Sequence, residues 1–143
     1  MPNKIHIGTG QILEGQNATI MHRLYTPDGA KLTQTTANGS NVTLNVFEIG
    51  QPSRGDVAVA TITVAISASV FDAFQTDAYW DLDGTGYNFR HMVPYHTAHV
   101  DGGSGKVNYR GGRKYRHEYQ VATDSFGTMY WVSEIEVVSL SSL

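Results

Sequence analysis

Three groups of side chains in this 143-residue chain have types and spacings that could do chemistry. Asp81-Leu82-Asp83-Gly84-Thr85-Gly86 contains Asp-x-Asp-Gly-x-Gly, which looks like part of a calcium loop. A hard cation needs six to eight oxygens, usually completed by a bidentate Glu; here Tyr87, Asn88, Phe89 and Arg90 follow instead. The same spacing suits a tight turn in which Asp side chains accept bonds from nearby backbone amides. Asp81 and Asp83 are thus the calcium candidates, the turn is the simpler account, and no metal or other cofactor is expected.

His91, His96 and His99 fall within nine residues, and zinc needs three or four ligands converging in fixed geometry. His91 takes an inward strand position while the other two lie in a glycine-rich loop, and no cysteine is present, so a zinc site is not expected. Arg110, Arg113, Lys114 and Arg116 stand beside Tyr109 and Tyr115, a mixture that can hold single-stranded nucleic acid. Glu118, Glu134 and Glu136 share the outward face of Lys114 and Arg116, which makes cross-strand ion pairing the simpler reading. A net charge of −3 also argues against a phosphate-binding surface, so nucleic acid is not an expected partner. There is no Gly-x-Ser-x-Gly elbow or phosphate loop, so no catalytic residues are assigned and no enzyme is expected. His22 and His117 take inward strand positions, where hydrogen-bonded core histidines are the common case.

The elements that would carry these groups are strands. In residues 113–139, Tyr115, His117, Tyr119 and Val121 alternate with charged or polar residues, and Met129, Trp131, Ser133, Ile135 and Val137 do the same after a Gly-containing break. Such period-two alternation around a short loop is an antiparallel hairpin. Pairing Ala122 with Thr128 places Val121 opposite Met129, Tyr119 opposite Trp131 and Tyr115 opposite Ile135. A one-residue slip would turn all of these to the other face.

Earlier in the chain, residues 4–14 read as a first edge strand broken or bulged at Gly8 and Gly10. Residues 17–25 form a strand with Ala18, Ile20, His22 and Leu24 inward and Met21 and Tyr25 outward. Residues 31–40 are a loop or weak edge. Residues 41–49 put Val42, Leu44 and Val46 inward and Phe47 outward, and residues 57–66 are a β-branched run with Ile62, Val64 and Ile66 inward. Residues 67–74 read as the single helical turn, capped by Ser67 or Ser69. In residues 86–93, Tyr87, Phe89, His91 and Val93 share one face.

The expected fold is all-β: an immunoglobulin-like antiparallel β-sandwich of about seven strands with one short helical turn. Residues 1–143 make one domain, with an N-terminal arm over about residues 1–7. Tyr115 stands at the start of its strand, where immunoglobulin-like domains place a corner tyrosine. No positively charged start followed by an apolar run suggests a secretory signal, and residues 57–70, the longest apolar stretch, are too short to span a bilayer, so no membrane is expected.

The pattern resembles small immunoglobulin-like structural proteins of tailed bacteriophages. Tyr25-Thr-Pro-Asp-Gly-Ala-Lys-Leu32 with residues 42–51 carries the resemblance first. Val70-Phe71-Asp72-Ala73-Phe74-Gln75 with Trp80 and Gly86-Tyr87-Asn88-Phe89-Arg90-His91 carries it next, and Tyr115-Arg116-His117-Glu118-Tyr119 completes it. Together these stretches are similar to virion accessory domains, including N-terminal domains of upper-baseplate proteins. The resemblance implies a non-enzymatic virion subunit, a capsid decoration, neck, tail or baseplate accessory. It would assemble in the host cytoplasm as a homo-oligomer and bind other virion proteins. Met21, Tyr25, Phe47, Tyr130 and Val132, apolar at outward positions, are the interface candidates. The alternative is a carbohydrate-binding sandwich using Tyr79, Trp80 and Tyr95, assisted by calcium at Asp81 and Asp83.

Overall fold

The computed structural model describes residues 4–37, 41–49, 58–95 and 107–142. Nine strands follow one another: β1 Lys4–His6, β2 Thr9–Leu13, β3 Ala18–His22, β4 Val42–Ile49, β5 Ala60–Val64, β6 Val70–Gln75, β7 Tyr87–Val93, β8 Lys114–Thr123 and β9 Gly127–Val138. Two helical turns, α1 Gln34–Ala37 and α2 Ile66–Ser69, and a final 3₁₀ turn at Leu140–Ser142 complete the chain.

The strands form one hydrogen-bonded ladder in the order β5-β4-β8-β9-β2-β1-β3-β7-β6. The ladder folds over at the β1–β2 hairpin, so that β5-β4-β8-β9-β2 faces β1-β3-β7-β6. Phe89 of β7 lies 4.8 Å from the Tyr119 ring of β8 and 5.0 Å from Trp131 of β9, and this aromatic cross-packing joins the layers. The result is the all-β sandwich that the alternation predicts, with the strand order of immunoglobulin-like domains. Among the described residues there are nine strands rather than about seven, and β1–β3 and β2–β9 pair in parallel. The first strand does not merely bulge at its glycines. It reverses at Ile7 and Gly8, both at positive φ (43° and 104°), the geometry of a tight two-residue hairpin turn. The expected arm is therefore already structure from Lys4 onward.

The β8–β9 register is the predicted one: Ala122 opposite Thr128, Val121 opposite Met129, Tyr119 opposite Trp131 and Tyr115 opposite Ile135. Tyr115 makes the expected corner. Its hydroxyl accepts from the Arg110 N–H at 2.9 Å and shares its proton between the Asn108 carbonyl at 3.2 Å and Glu48 Oε1 at 3.3 Å.

There are two helical turns rather than one, since α1 forms within residues 31–40, and three further expectations fail for identifiable reasons. Residues 67–74 are not one helical turn: α2 ends at Ser69, has no side-chain cap, and gives way to strand β6. Val70 and the phenylalanines suit a pleated surface, and pairing with β7 outweighs the local helical spacing. Tyr87 does not share a core with Phe89. The register of β6 against β7 shifts between Val70 and Gln75, and Tyr87 packs instead with Met21 and Trp80 in a second, smaller cluster. For the same reason Met21 is fully buried rather than outward, because the residues between β6 and β7 cover the outer side of β3.

Candidate functional site

The three inward histidines each meet a hydroxyl. His22 Nε2 lies 2.5 Å from Ser133 Oγ, His91 Nδ1 is 3.0 Å from Tyr119 Oη, and His117 Nε2 is 2.6 Å from Tyr109 Oη. Burial disfavours the imidazolium form and pulls His22 and His91 down to about 4 and His117 to about 3, the last aided by the neighbouring His91. Burial likewise raises Tyr109 and Tyr119 well above the phenol range. At neutral pH these are uncharged hydrogen-bonding pairs between the layers. The His22–Ser133 pair has the elements of a nucleophile and base, but Ser133 is fully buried and His22 nearly so, leaving no room for a substrate.

The aspartate turn between β6 and β7 is built around Asp83. Its Oδ1 accepts from the Thr85 and Gly86 amides at 3.0 and 3.2 Å and from Trp80 Nε1 at 3.0 Å. Arg23 Nη2 closes on both oxygens at 2.6 and 2.5 Å. The Arg23 guanidinium, with the Trp80 and backbone donors, holds the Asp83 carboxyl far below its ordinary range. Asp83 is a turn-forming, ion-paired carboxylate, and a cation there would have to displace Arg23. Among the described residues no group of three His, Asp or Glu side chains could hold a metal. Of the zinc trio, His91 is engaged with Tyr119, and His96 and His99 lie outside the described residues.

The basic cluster is neutralised in part, by a pair along β8 and a pair to β4 rather than by the expected pairing across β8 and β9. Arg116 Nε donates to Glu118 Oε2 at 2.6 Å and its guanidinium sits 5.0 Å from the Phe47 ring. Lys114 stands opposite Glu136 in the ladder, and Arg113 pairs at 3.6 Å with Glu48, a buried carboxylate. A depression of about 150 Å³ lies beside them, lined by Thr9, Gly10, Lys114, Glu134, Ile135 and Glu136, well under the size of ordinary ligand pockets.

The five interface candidates do not form one patch. Phe47, Val132 and Tyr130 share the outer face of β4-β8-β9, in successive rows Phe47–Arg116–Glu134, Asn45–Glu118–Val132 and Thr43–Gln120–Tyr130. Tyr130 is 67% exposed and Val132 43%, whereas Phe47 is half-covered beneath Arg116. Tyr25 is exposed beyond β3 on the other layer, edge-on to Phe74 at 5.8 Å, and Met21 is buried. The proposed sugar platform does not assemble either. Trp80 is buried beneath Arg23, Tyr95 packs on the main core, and Tyr79 carries Arg90 at 4.3 Å from its ring centre.

Sequence reasoning missed the box around Arg90. Phe71, Tyr79 and Tyr87 surround its guanidinium, which also pairs with Asp77 at 3.6 Å and donates to Tyr87 Oη at 2.8 Å. The signal was present as an arginine at an outward strand position next to a segment rich in aromatics. Its partners are separated by up to 19 residues, which no local periodicity joins. No protein-family model, curated protein or solved structure matches the chain.

Proposed function

We propose that this chain is a non-catalytic structural subunit acting through protein–protein contacts, and that its setting is the particle of a tailed bacteriophage. The observation that carries the contact reading is the pairing of Tyr130 and Val132 on the outer face of β9. They are large, exposed apolar groups on the best-paired hairpin of the molecule, where the backbone is already ordered and binding costs little chain entropy. The chemistry-bearing groups support the same reading: His22, His117 and Ser133 are buried, His91 is partly buried against Tyr119, and Asp83 is tied to Arg23. The phage setting rests on the resemblance of the strand-and-turn pattern to virion accessory domains. In that setting the subunit assembles in the host cytoplasm and becomes part of the head, neck or tail.

Two measurements test the two parts. Mass spectrometry of particles purified from the source lysate should find this chain at fixed stoichiometry; abundance in the lysate with none in particles refutes the setting. Replacing Tyr130 by Ser and Val132 by Thr should leave the circular dichroism unchanged and abolish incorporation. Normal incorporation of that double variant refutes the role of this face.

A further inference from the structure

The ladder leaves two outer edges, and the chain treats them differently. The edge of β6 is defended. Gln34 Nε2 donates to the Val70 carbonyl at 2.9 Å, and the Gln34 N–H donates to Asp72 Oδ1 at 2.8 Å, which brings α1 against that edge. The register shift between Val70 and Gln75 breaks its line further. Bulges, charges and covering segments are the usual means by which a sheet edge is kept from pairing with another chain.

Among the described residues, the β5 edge has none of these. Its sequence is Ala60-Thr61-Ile62-Thr63-Val64, without charge, proline or glycine, and its pairing with β4 runs through all five residues without a bulge. Among the described residues, β4 is the only strand that pairs with it. Its inward side chains are also incompletely covered. Ala60, Ile62 and Val64 retain 5%, 6% and 9% exposure, whereas Val42, Leu44 and Val46 of β4 retain none. Among the described residues the layer therefore has an unpaired edge on this side, with inward side chains that are buried but less completely than those of β4.

We propose that the free edge of β5 pairs with β5 of a second copy of this chain, antiparallel about a two-fold axis at Ile62. Ile62 then faces its own equivalent, Ala60 lies opposite Val64, and Thr61 opposite Thr63. Every inward residue stays on the core side, small faces large, and the outer face brings hydroxyls together with no like charges. A two-fold contact needs this self-complementarity, because the same strip serves both copies. Backbone N–H and C=O groups of alternate residues supply the bonds, as in β-strand addition. The pairing names a second copy as one partner for the assembly role proposed above and rests on that role only for its biological meaning. Five paired residues make a small interface, so the dimer is concentration-dependent.

The test is light scattering over a concentration series on the wild-type chain, on Thr61→Lys/Thr63→Lys and on Thr61→Glu/Thr63→Glu. Both threonines are exposed, so the substituted chains keep the fold, as circular dichroism will verify. The wild type should dimerise as concentration rises, each double variant should remain monomeric, and an equimolar mixture of the two should dimerise again. Wild-type β5 amides should exchange more slowly at high concentration than at low, a readout independent of any substitution. A wild type that stays monomeric, a lysine variant that dimerises like the wild type, or a mixture that stays monomeric overturns the edge pairing. A wild-type dimer lost in Tyr130→Ser/Val132→Thr but kept in the lysine variant also overturns it, while leaving the contact role of the Tyr130 face intact.

Discussion

Lowering the pH from 7.5 to 5 should remove a large part of this protein's stability, because three imidazoles, His22 and His117 buried and His91 partly so, are held uncharged between the layers. His22, His91 and His117 ordinarily titrate at 6.5, but in the fold they sit at about 4, 4 and 3. Above pH 6.5 they are neutral in both the folded and unfolded chain and add no pH dependence. Between 6.5 and 4 the unfolded chain binds protons that the folded chain refuses, so stability falls as pH falls through that window. At pH 5 each histidine lies 1.5 units below its unfolded value, which amounts to about 2 kcal/mol apiece and about 6 kcal/mol together. A domain of this size has roughly 5–15 kcal/mol in total, so the loss takes it to the edge of unfolding.

The assay is urea unfolding followed by tryptophan fluorescence at half-unit steps from pH 7.5 to 4.5. The unfolding free energy should become steeper below pH 6.5 and approach about 4 kcal/mol per unit near pH 5, the slope for three protons. His22→Gln keeps a hydrogen-bonding group facing Ser133 without a titrating one, and should reduce that slope by about one third. Asp83 cannot produce the same curve. Its carboxyl is held below the ordinary range, so its contribution persists above pH 3.8 and is lost only below it. An unfolding free energy that stays flat from pH 7.5 to 5, or a slope unaffected by His22→Gln, would refute the account of neutral buried imidazoles.

Two further predictions concern the turn between β6 and β7. Gly86 has φ +96°, and a Cβ there would stand 2.3 Å from the Gln75 carbonyl oxygen, so Gly86→Ala should cost about 2–4 kcal/mol in urea unfolding. Gly84→Ala, where a Cβ meets nothing within 4 Å, should change stability by less than about 0.5 kcal/mol. Because Arg23 already closes on Asp83, millimolar calcium should leave the melting temperature unchanged, as should EDTA. A calcium-dependent rise of several degrees, lost in Asp83→Asn, would show that the cation displaces the arginine.

The parts of the fold that were legible in the sequence are those in which one strand decides its own geometry. Tyr115, Tyr119 and Val121 against Ile135, Trp131 and Met129 admit only one register that turns all six inward, and the structure has that register. His22, His91 and His117 were readable as inward for the same reason. Met21 was not, because its burial depends on Trp80 and Tyr87 arriving from more than 50 residues away to cover what alternation marks as a solvent face. Arg90 fails to announce itself for the same cause, since its aromatic neighbours meet only after β6 and β7 pair with a shifted register. Alternation reports which face of a strand is apolar, not whether another segment lies over it. The residues between β6 and β7 form such a cover, held by Arg23 to Asp83, Arg90 to Asp77 and the Tyr87 hydroxyl to Asp77. The outer face of β4-β8-β9, Tyr25 beyond β3 and the threonines of β5 are by contrast places where outward-facing positions in the sequence remain outward-facing in the fold. Surfaces for other chains are to be sought there rather than in the aspartate turn, whose residues are engaged with one another.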